Sequence, residues 1–309
     1  MYKTVKYFLV GLLIGSLLLA SLLPYVMFHQ SPKQLYSSAI NQYFRKELDV
    51  KQLAKIVIPG NTRVPILTYY NLLPNNAKEE GVTIADFEEQ IKTMTEIGYT
   101  FITPNELAEA IYKGKELPQN PILLTFDDCY KSVYKDAFPI LQKYGAKATV
   151  NVIGYHVDYH YNYDSELLTW KDIQTMVDSG LINIQSETYY SYSSLINLNG
   201  ETIYPFVDYK DNEDNNGYLT RITEDLKKNN QRLSKITDTP IIALAYPRGM
   251  YNDYTTSALQ AASLQLAFDT NSTHANNLKA GVDPFHLSRY TINDHYEMKD
   301  FLRLINTDQ

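Results

Sequence analysis

The sequence predicts an α/β fold in which a parallel sheet closes into a distorted (β/α) barrel of about seven strand–helix units. Short apolar runs alternate with stretches of helical periodicity from about residue 62 to residue 309. Apolar strands joined through helices are typical of a parallel sheet that is covered on both faces. About seven such units in roughly 250 residues favour a barrel over an open sheet. No internal repeat or low-complexity linker interrupts this stretch, so we treat it as one domain.

The strands are predicted from apolar runs that are bounded by turn residues. They cover Val64–Tyr69, Tyr99–Ile102, Pro121–Phe126, Ala148–Ile153, Leu181–Ile184, Ile241–Ala245, Leu266–Phe268 and His286–Ile292. The helices are predicted from apolar residues three and four positions apart, with a glycine such as Gly98 placed as a stop. They cover Ala85–Ile97, Glu106–Lys113, a segment that ends near Tyr144, Trp170–Val177, Thr223–Ile236 and Thr255–Ala262. Because chemistry in such barrels sits at the carboxyl ends of the strands, the polar residues after each strand are the candidate site residues.

The N-terminus predicts an uncleaved transmembrane signal anchor. A basic flank at residues 1–6 precedes an uncharged, mostly apolar run at residues 7–28, and roughly twenty apolar residues are enough to cross a bilayer. The alternatives are a cleaved signal peptide, whose cleavage site Leu18-Leu19-Ala20 fits poorly, and a buried core helix. Basic flanks stay inside the cell, so we expect a single-pass protein of the cell membrane with the remainder outside. Residues 29–61 are amphipathic and form either a stalk or an N-terminal extension of the domain at residues 62–309.

The composition excludes several classes of function. There are 28 Lys and Arg residues against 35 Asp and Glu residues, a net charge of −7, which argues against nucleic acid as a partner. One cysteine excludes an intramolecular disulfide framework and a cysteine-rich zinc site. The lone anchor and the thiol-poor exterior suit a Gram-positive bacterium. The chain has 27 Tyr residues and only 6 His residues, an imbalance that becomes important at the site.

Two adjacent carboxylates, Asp127 and Asp128, end the most apolar predicted strand. Their mutual repulsion is costly unless a cation or a shared proton relieves it, so the pair is a candidate catalytic site. A helix cap or a solvated turn is the alternative interpretation of an Asp-Asp pair in this place.

Several further stretches occur in the order and spacing of a known family. They are Val64–Tyr70, Phe87–Ile91, Leu123–Asp128, Ala137–Gly145 and Ala245–Gly249. They resemble the polysaccharide deacetylase family, the NodB-homology fold of carbohydrate esterase family 4, and in particular the subgroup that acts on poly-N-acetylglucosamine. The resemblance implies that the partner of the domain is a polymer of N-acetylhexosamine from the cell wall or an exported polysaccharide.

The resemblance also implies roles for individual residues in metal-assisted hydrolysis of an acetamido group. Asp127 corresponds to the general base, and Asp128 to one ligand of a zinc-type divalent metal that two histidines also hold. Arg289 corresponds to the residue that orients the base, with Arg248 as an alternative. The substrate-binding positions are Tyr246, Pro247 and Tyr192.

The histidines of the family are replaced in this chain. Glu187 stands at the first histidine ligand position, and Ser191 or Tyr192 at the second. Tyr70 stands where the subgroup has the histidine that serves as general acid, and Cys129 replaces a glycine. Two carboxylates suit a harder, more weakly held ion than zinc, and an ordinary tyrosine pKa near 10 matches acid catalysis poorly. The replacements therefore predict weak or absent metal binding at Asp128 and Glu187.

Two functions remain open from the sequence. The first is a surface-anchored polysaccharide deacetylase with an altered metal site. The second is a degenerate deacetylase that binds glycan or a partner in polysaccharide assembly without turnover. His156 and His160 follow a strand and are considered as compensating ligands, although solvated loop histidines are the more common case. Tyrosines after the same strand and around Glu187 indicate either a glycan groove or aromatic packing on the barrel rim.

Overall fold

A computed structural model describes residues 62–77, 81–159, 166–270, 276–278, 282–292, 294 and 296–306. The predicted anchor at residues 7–28, its basic flank and residues 29–61 lie outside the described part of the chain. Within that part, no helix is both long enough and apolar enough to cross a bilayer.

A parallel sheet curves into a nearly closed barrel, which confirms the predicted (β/α) architecture. Its strands are β2 (Ile66–Tyr69), β3 (Thr100–Ile102), β4 (Pro121–Phe126), β5 (Ala148–Val152), β6 (Ile182–Ser186), β9 (Ala243–Ala245), β10 (Leu266–Asp269), β12 (Leu287–Ser288) and β13 (Tyr290–Thr291). The order across the sheet is β12-β10-β9-β6-β5-β4-β2-β13, and β3 adds to β4. Two small antiparallel pairs lie apart from it: β1 (Thr62–Val64) with β11 (Asn276–Leu278), and β7 (Leu195–Ile196) with β8 (Thr202–Ile203).

The two edges of the sheet meet at Arg289. The sequence predicts one strand over His286–Ile292, but the structure divides it at this residue. Strand β12 pairs with β10, and β13 pairs with β2 at the opposite edge. The interruption has a physical reason, because the segment must change its hydrogen-bonding partner from one edge strand to the other.

The helices cover the outside of the barrel. They are α1 (Ile84–Glu96), α2 (Pro104–Lys113), α3 (Phe138–Tyr144), α4 (Gly154–Tyr159), α5 (Trp170–Asp178), α6 (Asn215–Leu233), α7 (Thr255–Ala261) and α8 (Met298–Asn306). Helices α1, α2 and α5 each begin with a capping box, in which a threonine and an acidic residue three positions later bond to each other's backbone N–H. These local signals explain why the predicted starts of the three helices lie within two residues of the observed ones.

Alternate residues of β4 face opposite sides of the sheet. Ile122 and Leu124 pack in the larger of two apolar clusters, and Leu123 packs in the other. Because side chains alternate with a period of two, Thr125 and Asp127 continue the row of Leu123. The same period that buries the strand therefore directs Asp127 to the end of the barrel interior.

The sequence interpretation misses several elements and misplaces one. Helices α4 and α8, strand β11 and the β7–β8 hairpin are absent from the predicted series, and α6 begins at Asn215 rather than at Thr223. The side chain of Asp214 accepts a hydrogen bond from the Gly217 N–H, so Asp214 is the N-cap of α6.

Candidate active site

Arg289 forms a buried, bidentate ion pair with Asp127. The guanidinium donates from Nη1 to Oδ1 at 2.9 Å and from Nη2 to Oδ2 at 2.6 Å. Arg289 is 0% and Asp127 is 3% exposed. Nη1 also donates to Oγ1 of Thr125, and Nε donates to the carbonyl oxygen of Asp269. A bidentate pair fixes both the charge and the plane of the carboxylate, so the structure places Arg289 where the sequence expects a residue that orients Asp127.

Asn151 is a further partner of Asp127 that the sequence interpretation overlooks. Its Nδ2 donates to Asp127 Oδ1 at 2.7 Å, and the side chain is fully buried in β5. The available signal is a lone amide within a fully buried strand, since a buried polar group needs a hydrogen-bonding partner.

The backbone after Asp127 turns through the left-handed region. Asp128 has φ 65° and Cys129 has φ 60°, and Thr188 and Arg248 on neighbouring loops also have positive φ. Non-glycine residues in this region are strained, and such strain concentrates at functional sites. The buried Cys129 fills the position of the family's glycine, and its Sγ accepts a hydrogen bond from the Ile153 N–H at 3.2 Å. Burial raises the pKa of this thiol well above its usual value, which argues against a nucleophilic role.

Asp128 has two side chains of the protein as close neighbours. The phenol of Tyr192 lies beside its carboxylate and lowers the pKa of that group. The Asp128 N–H donates to Oε2 of Glu187 at 3.2 Å, and Glu187 is only 2% exposed. The structure therefore brings Tyr192, rather than Ser191, against Asp128.

Burial and the repulsion between neighbouring carboxylates raise the pKa values of Asp128, Glu187 and Tyr192. Burial and the neighbouring Asp127 raise the pKa of Asp128 to about 6. Burial, Asp127 and Asp128 raise the pKa of Glu187 well above its ordinary range. Burial, followed by the carboxylates of Asp128 and Glu187, also raises the pKa of Tyr192. Tyr192 is thus a neutral phenol at physiological pH.

Arg248 lies beside Asp128 rather than beside the buried pair. Its guanidinium carbon lies 5.2 Å from the ring centroid of Tyr192 and 5.3 Å from that of Tyr204. The side chain is exposed, and its charge lowers the pKa of Asp128. Two aromatic rings therefore hold a solvent-accessible cation at the edge of the site.

The other predicted site residues are divided between the cleft and the core. Tyr70 is half-buried, and burial together with Asp127 raises its pKa, so it is a neutral phenol near the carboxylates. Tyr246 is 1% exposed and its hydroxyl donates to the carbonyl oxygen of Phe285 at 3.0 Å. Pro247 is also buried. The structure does not bring these two residues to the cleft surface, and their substrate-binding role stays a prediction.

His156 packs against the cleft wall. Its ring centroid lies 5.2 Å from that of Tyr192, the side chain is 2% exposed, and burial lowers its pKa to about 4. His160 lies outside the described residues. Neither histidine is shown to act as a ligand, so a compensating role stays a prediction.

The pH dependence of the free energy of unfolding tests whether His156 is buried in its neutral form. An unfolded imidazole takes up its proton near pH 6.5, whereas the folded one does so only near pH 4. Its contribution to stability is complete above pH 6.5 and is lost as pH falls towards 4. We expect a loss of up to about 3 kcal/mol from this group over that range. Urea unfolding of the wild type and of His156→Gln at pH 7 and pH 4.5 measures it. An equal loss in both proteins would contradict the burial argument.

Comparison with known proteins identifies the fold and the family. The sequence model of the polysaccharide deacetylases matches residues 114–267, the stretch that contains Asp127, Glu187 and Arg248. The chain belongs to the polysaccharide deacetylase family. A poly-β-1,6-N-acetyl-D-glucosamine N-deacetylase of Staphylococcus epidermidis is 26% identical over 206 residues, which are 66% of this chain and 67% of that protein. The resemblance drawn from the sequence, including its poly-N-acetylglucosamine subgroup, is thereby confirmed.

Two more comparisons concern the family and the fold. A candidate polysaccharide deacetylase of Bacillus subtilis is 29% identical over 230 residues, which are 74% of this chain and 71% of that protein. The solved de-N-acetylase of Aggregatibacter actinomycetemcomitans superposes with a TM-score of 0.69 at 18% identity, covering 79% of this chain and 100% of that one. At this identity the match shows the fold alone.

The donors around Asp128 do not fit the metal that the polysaccharide deacetylase family implies. Zinc prefers imidazole and thiolate ligands, whereas Asp128 here meets a neutral phenol and a buried carboxyl. Among the described residues, no group of three or more His, Cys, Asp or Glu side chains is arranged to hold a metal ion. We therefore derive no chemical step through a metal.

Proposed function

We propose that this chain binds a polymer of N-acetylhexosamine in the cleft at the carboxyl ends of the strands and does not hydrolyse it through a metal. The observation that carries the proposal is the buried carboxyl of Glu187, which accepts a hydrogen bond from the Asp128 N–H at the position where the family resemblance places an imidazole ligand. The Tyr192 phenol strengthens the argument, because it lies beside the Asp128 carboxylate and lowers the pKa of that group.

The cleft retains groups that suit a sugar. Arg248 and the neutral phenols of Tyr70 and Tyr192 are groups that can donate hydrogen bonds to a sugar, and the Asp128 carboxylate can accept one. Tyrosine rings also offer apolar area with a polar tip, which matches the amphipathic surface of a hexose. The relatives that act on poly-β-1,6-N-acetyl-D-glucosamine support this polymer as the ligand class.

The proposal includes the cellular location of the protein. Residues 7–28 serve as the membrane anchor, and the domain lies outside the cell, where a surface polysaccharide is accessible. The apolar run and its basic flank support this placement. A Gram-positive cell surface is the proposed setting, consistent with the staphylococcal relatives.

A second function, hydrolysis of the N-acetyl groups, is favoured by one observation. Asp127 keeps the bidentate contact with Arg289 and a hydrogen bond from Asn151, so a carboxylate of fixed orientation is present. Such a carboxylate is what a general base requires.

The two functions are separated by measuring binding and acetate release on the same purified full-length chain. We expect calorimetry to detect binding of β-1,6-linked N-acetylglucosamine oligomers with and without chelator. We expect no acetate release above that of Asp127→Asn, with or without added zinc, cobalt or nickel. Metal-dependent acetate release that disappears in Asp127→Asn would overturn the first function and establish the second. Absence of oligomer binding would overturn the first function alone.

A further inference from the structure

We propose that the rings of Tyr155, Tyr159 and Tyr190, here named the tyrosine platform, bind an additional sugar unit of the polymer outside the cleft. The inference rests on the proposed function, since it extends the same glycan site. The sequence leaves open whether these tyrosines bind glycan or only pack on the barrel rim, and the inference assigns them to binding.

The three rings form one cluster. The centroid of Tyr155 lies 4.7 Å from that of Tyr159, with 38° between the ring planes. It lies 4.9 Å from that of Tyr190, with the two rings nearly perpendicular at 88°. Helix α4 supplies Tyr155 and Tyr159, and the loop after β6 supplies Tyr190.

The outer members of the cluster face solvent. Tyr159 is 62% and Tyr190 is 48% exposed, so both rings are accessible to a ligand. Exposed apolar patches of this kind mark ligand or partner sites. A tyrosine ring stacks on the apolar face of a hexose while its hydroxyl reaches the sugar oxygens.

The tyrosine platform is continuous with the cleft through two elements. On α4, Tyr155 belongs to the platform, and the next residue, His156, packs its ring against Tyr192 of the cleft. On the loop after β6, Tyr190 belongs to the platform, and the ring of Tyr192, two residues later, lies 5.2 Å from the guanidinium carbon of Arg248 in the cleft. A polymer that leaves the cleft past Tyr192 therefore meets the platform next.

The backbone beneath the tyrosine platform is held in place. Gly154 N–H donates to Oδ1 of Asn229, and Tyr155 N–H donates to the carbonyl oxygen of Tyr189. Asp225 accepts hydrogen bonds from the N–H groups of Tyr189 and Tyr190 at 3.0 and 2.7 Å. Gly154 has no room for a side chain, since a Cβ there would lie 2.7 Å from the Tyr189 ring.

A second layer of polar contacts supports the same region. Asp158 accepts hydrogen bonds from Tyr189 Oη and Trp170 Nε1 at 2.8 Å and from Arg232 Nη2 at 2.6 Å. The platform is thus preorganised, and binding costs little ordering of its backbone.

The size of the tyrosine platform favours a sugar over a protein partner. Its two exposed rings offer little more than one whole tyrosine side chain, roughly 200 Å². A stable protein interface buries about 800 Å² on each partner. One hexose unit needs only a single ring face, so the polysaccharide of the cleft is the occupant.

The test compares a dimer and a hexamer of β-1,6-linked N-acetylglucosamine by calorimetry on the full-length chain. In Tyr190→Ala and Tyr159→Ala, we expect the hexamer to bind about tenfold more weakly and the dimer to bind as in the wild type. Tyr190→Phe retains the ring and is expected to retain most of the hexamer affinity. Tyr144→Ala is the matched control, because this half-buried tyrosine ends α3 near the amino end of β5.

The outcomes distinguish the two proposals. Unchanged hexamer affinity in both alanine variants, or an equal loss for dimer and hexamer, would overturn the platform and leave the cleft intact as a binding site. Failure of the wild type to bind either oligomer would overturn both. The fluorescence of Trp170, the single tryptophan of the chain, is a second measurement, because Trp170 donates a hydrogen bond to Asp158 in the layer that supports the platform. We expect the hexamer, and not the dimer, to change this fluorescence.

Discussion

Replacing Arg289 with methionine is expected to lower the free energy of unfolding by about 3–5 kcal/mol. The substitution leaves the carboxylate of Asp127 buried at 3% exposure with Asn151 as its remaining side-chain donor. An uncompensated charge in a low-dielectric interior is far more costly than the loss of a surface ion pair. Arg289 also joins the two sheet edges, so its loss removes contacts to Thr125 and Asp269. Urea unfolding monitored by circular dichroism measures the effect.

A double-mutant cycle isolates the contribution of the charge pair. Asp127→Leu combined with Arg289→Met removes both charges and replaces them with apolar groups. We expect the double variant to be clearly more stable than the sum of the single losses predicts, because neither charge is left alone. Additivity within about 0.5 kcal/mol would contradict a direct coupling between the two residues.

Restoring imidazoles at the replaced positions is expected to create metal binding. The variant Tyr70→His/Glu187→His/Tyr192→His returns nitrogen donors next to Asp128, which the family resemblance assigns as a metal ligand. At zinc concentrations 100 times the dissociation constant, binding to the folded state alone adds about 2.7 kcal/mol of stability. Thermal unfolding with and without zinc, together with the bound-metal content, measures the gain.

The matched control for this variant removes the two phenol hydroxyls and the carboxyl group without adding ligands. In Tyr70→Phe/Glu187→Gln/Tyr192→Phe we expect no zinc-dependent shift of the unfolding temperature. Placing the third histidine at Ser191 instead of Tyr192 is expected to give weaker binding, since Tyr192 is the residue that contacts Asp128. A histidine variant with no gain in metal binding would show that the correspondence of positions is wrong.

Much of the fold follows from local sequence signals. The strand Pro121–Phe126 is predicted with its observed bounds, because five apolar residues and one threonine lie between turn residues. Helix α2 ends at Lys113 as predicted, where Gly114 adopts the left-handed conformation that favours glycine. Helix α4 is missed because its six residues show too few repeats for a helical period to be recognised.

The site residues likewise fall into those that the sequence predicts and those that it misses. Asp127 and Asp128 are found from their place at the end of a buried strand, and the family motifs add Arg289 and Glu187. Asn151 and the position of Arg248 beside Asp128 are not found, because each depends on a neighbour far away in sequence. The choice between Ser191 and Tyr192 is likewise left open by spacing.

The sequence by itself determined the alternating α/β order, the barrel and the replacement of histidines at the motif positions, because periodicity, caps and motifs are local properties of the chain. Only the tertiary structure decided that Arg289 closes the barrel on Asp127, that Tyr192 lies beside Asp128, and that a tyrosine platform adjoins the cleft. These features arise from side chains on different strands and loops that meet at one end of the barrel. Their distances and burial, and hence their pKa values, depend on how the whole sheet curves.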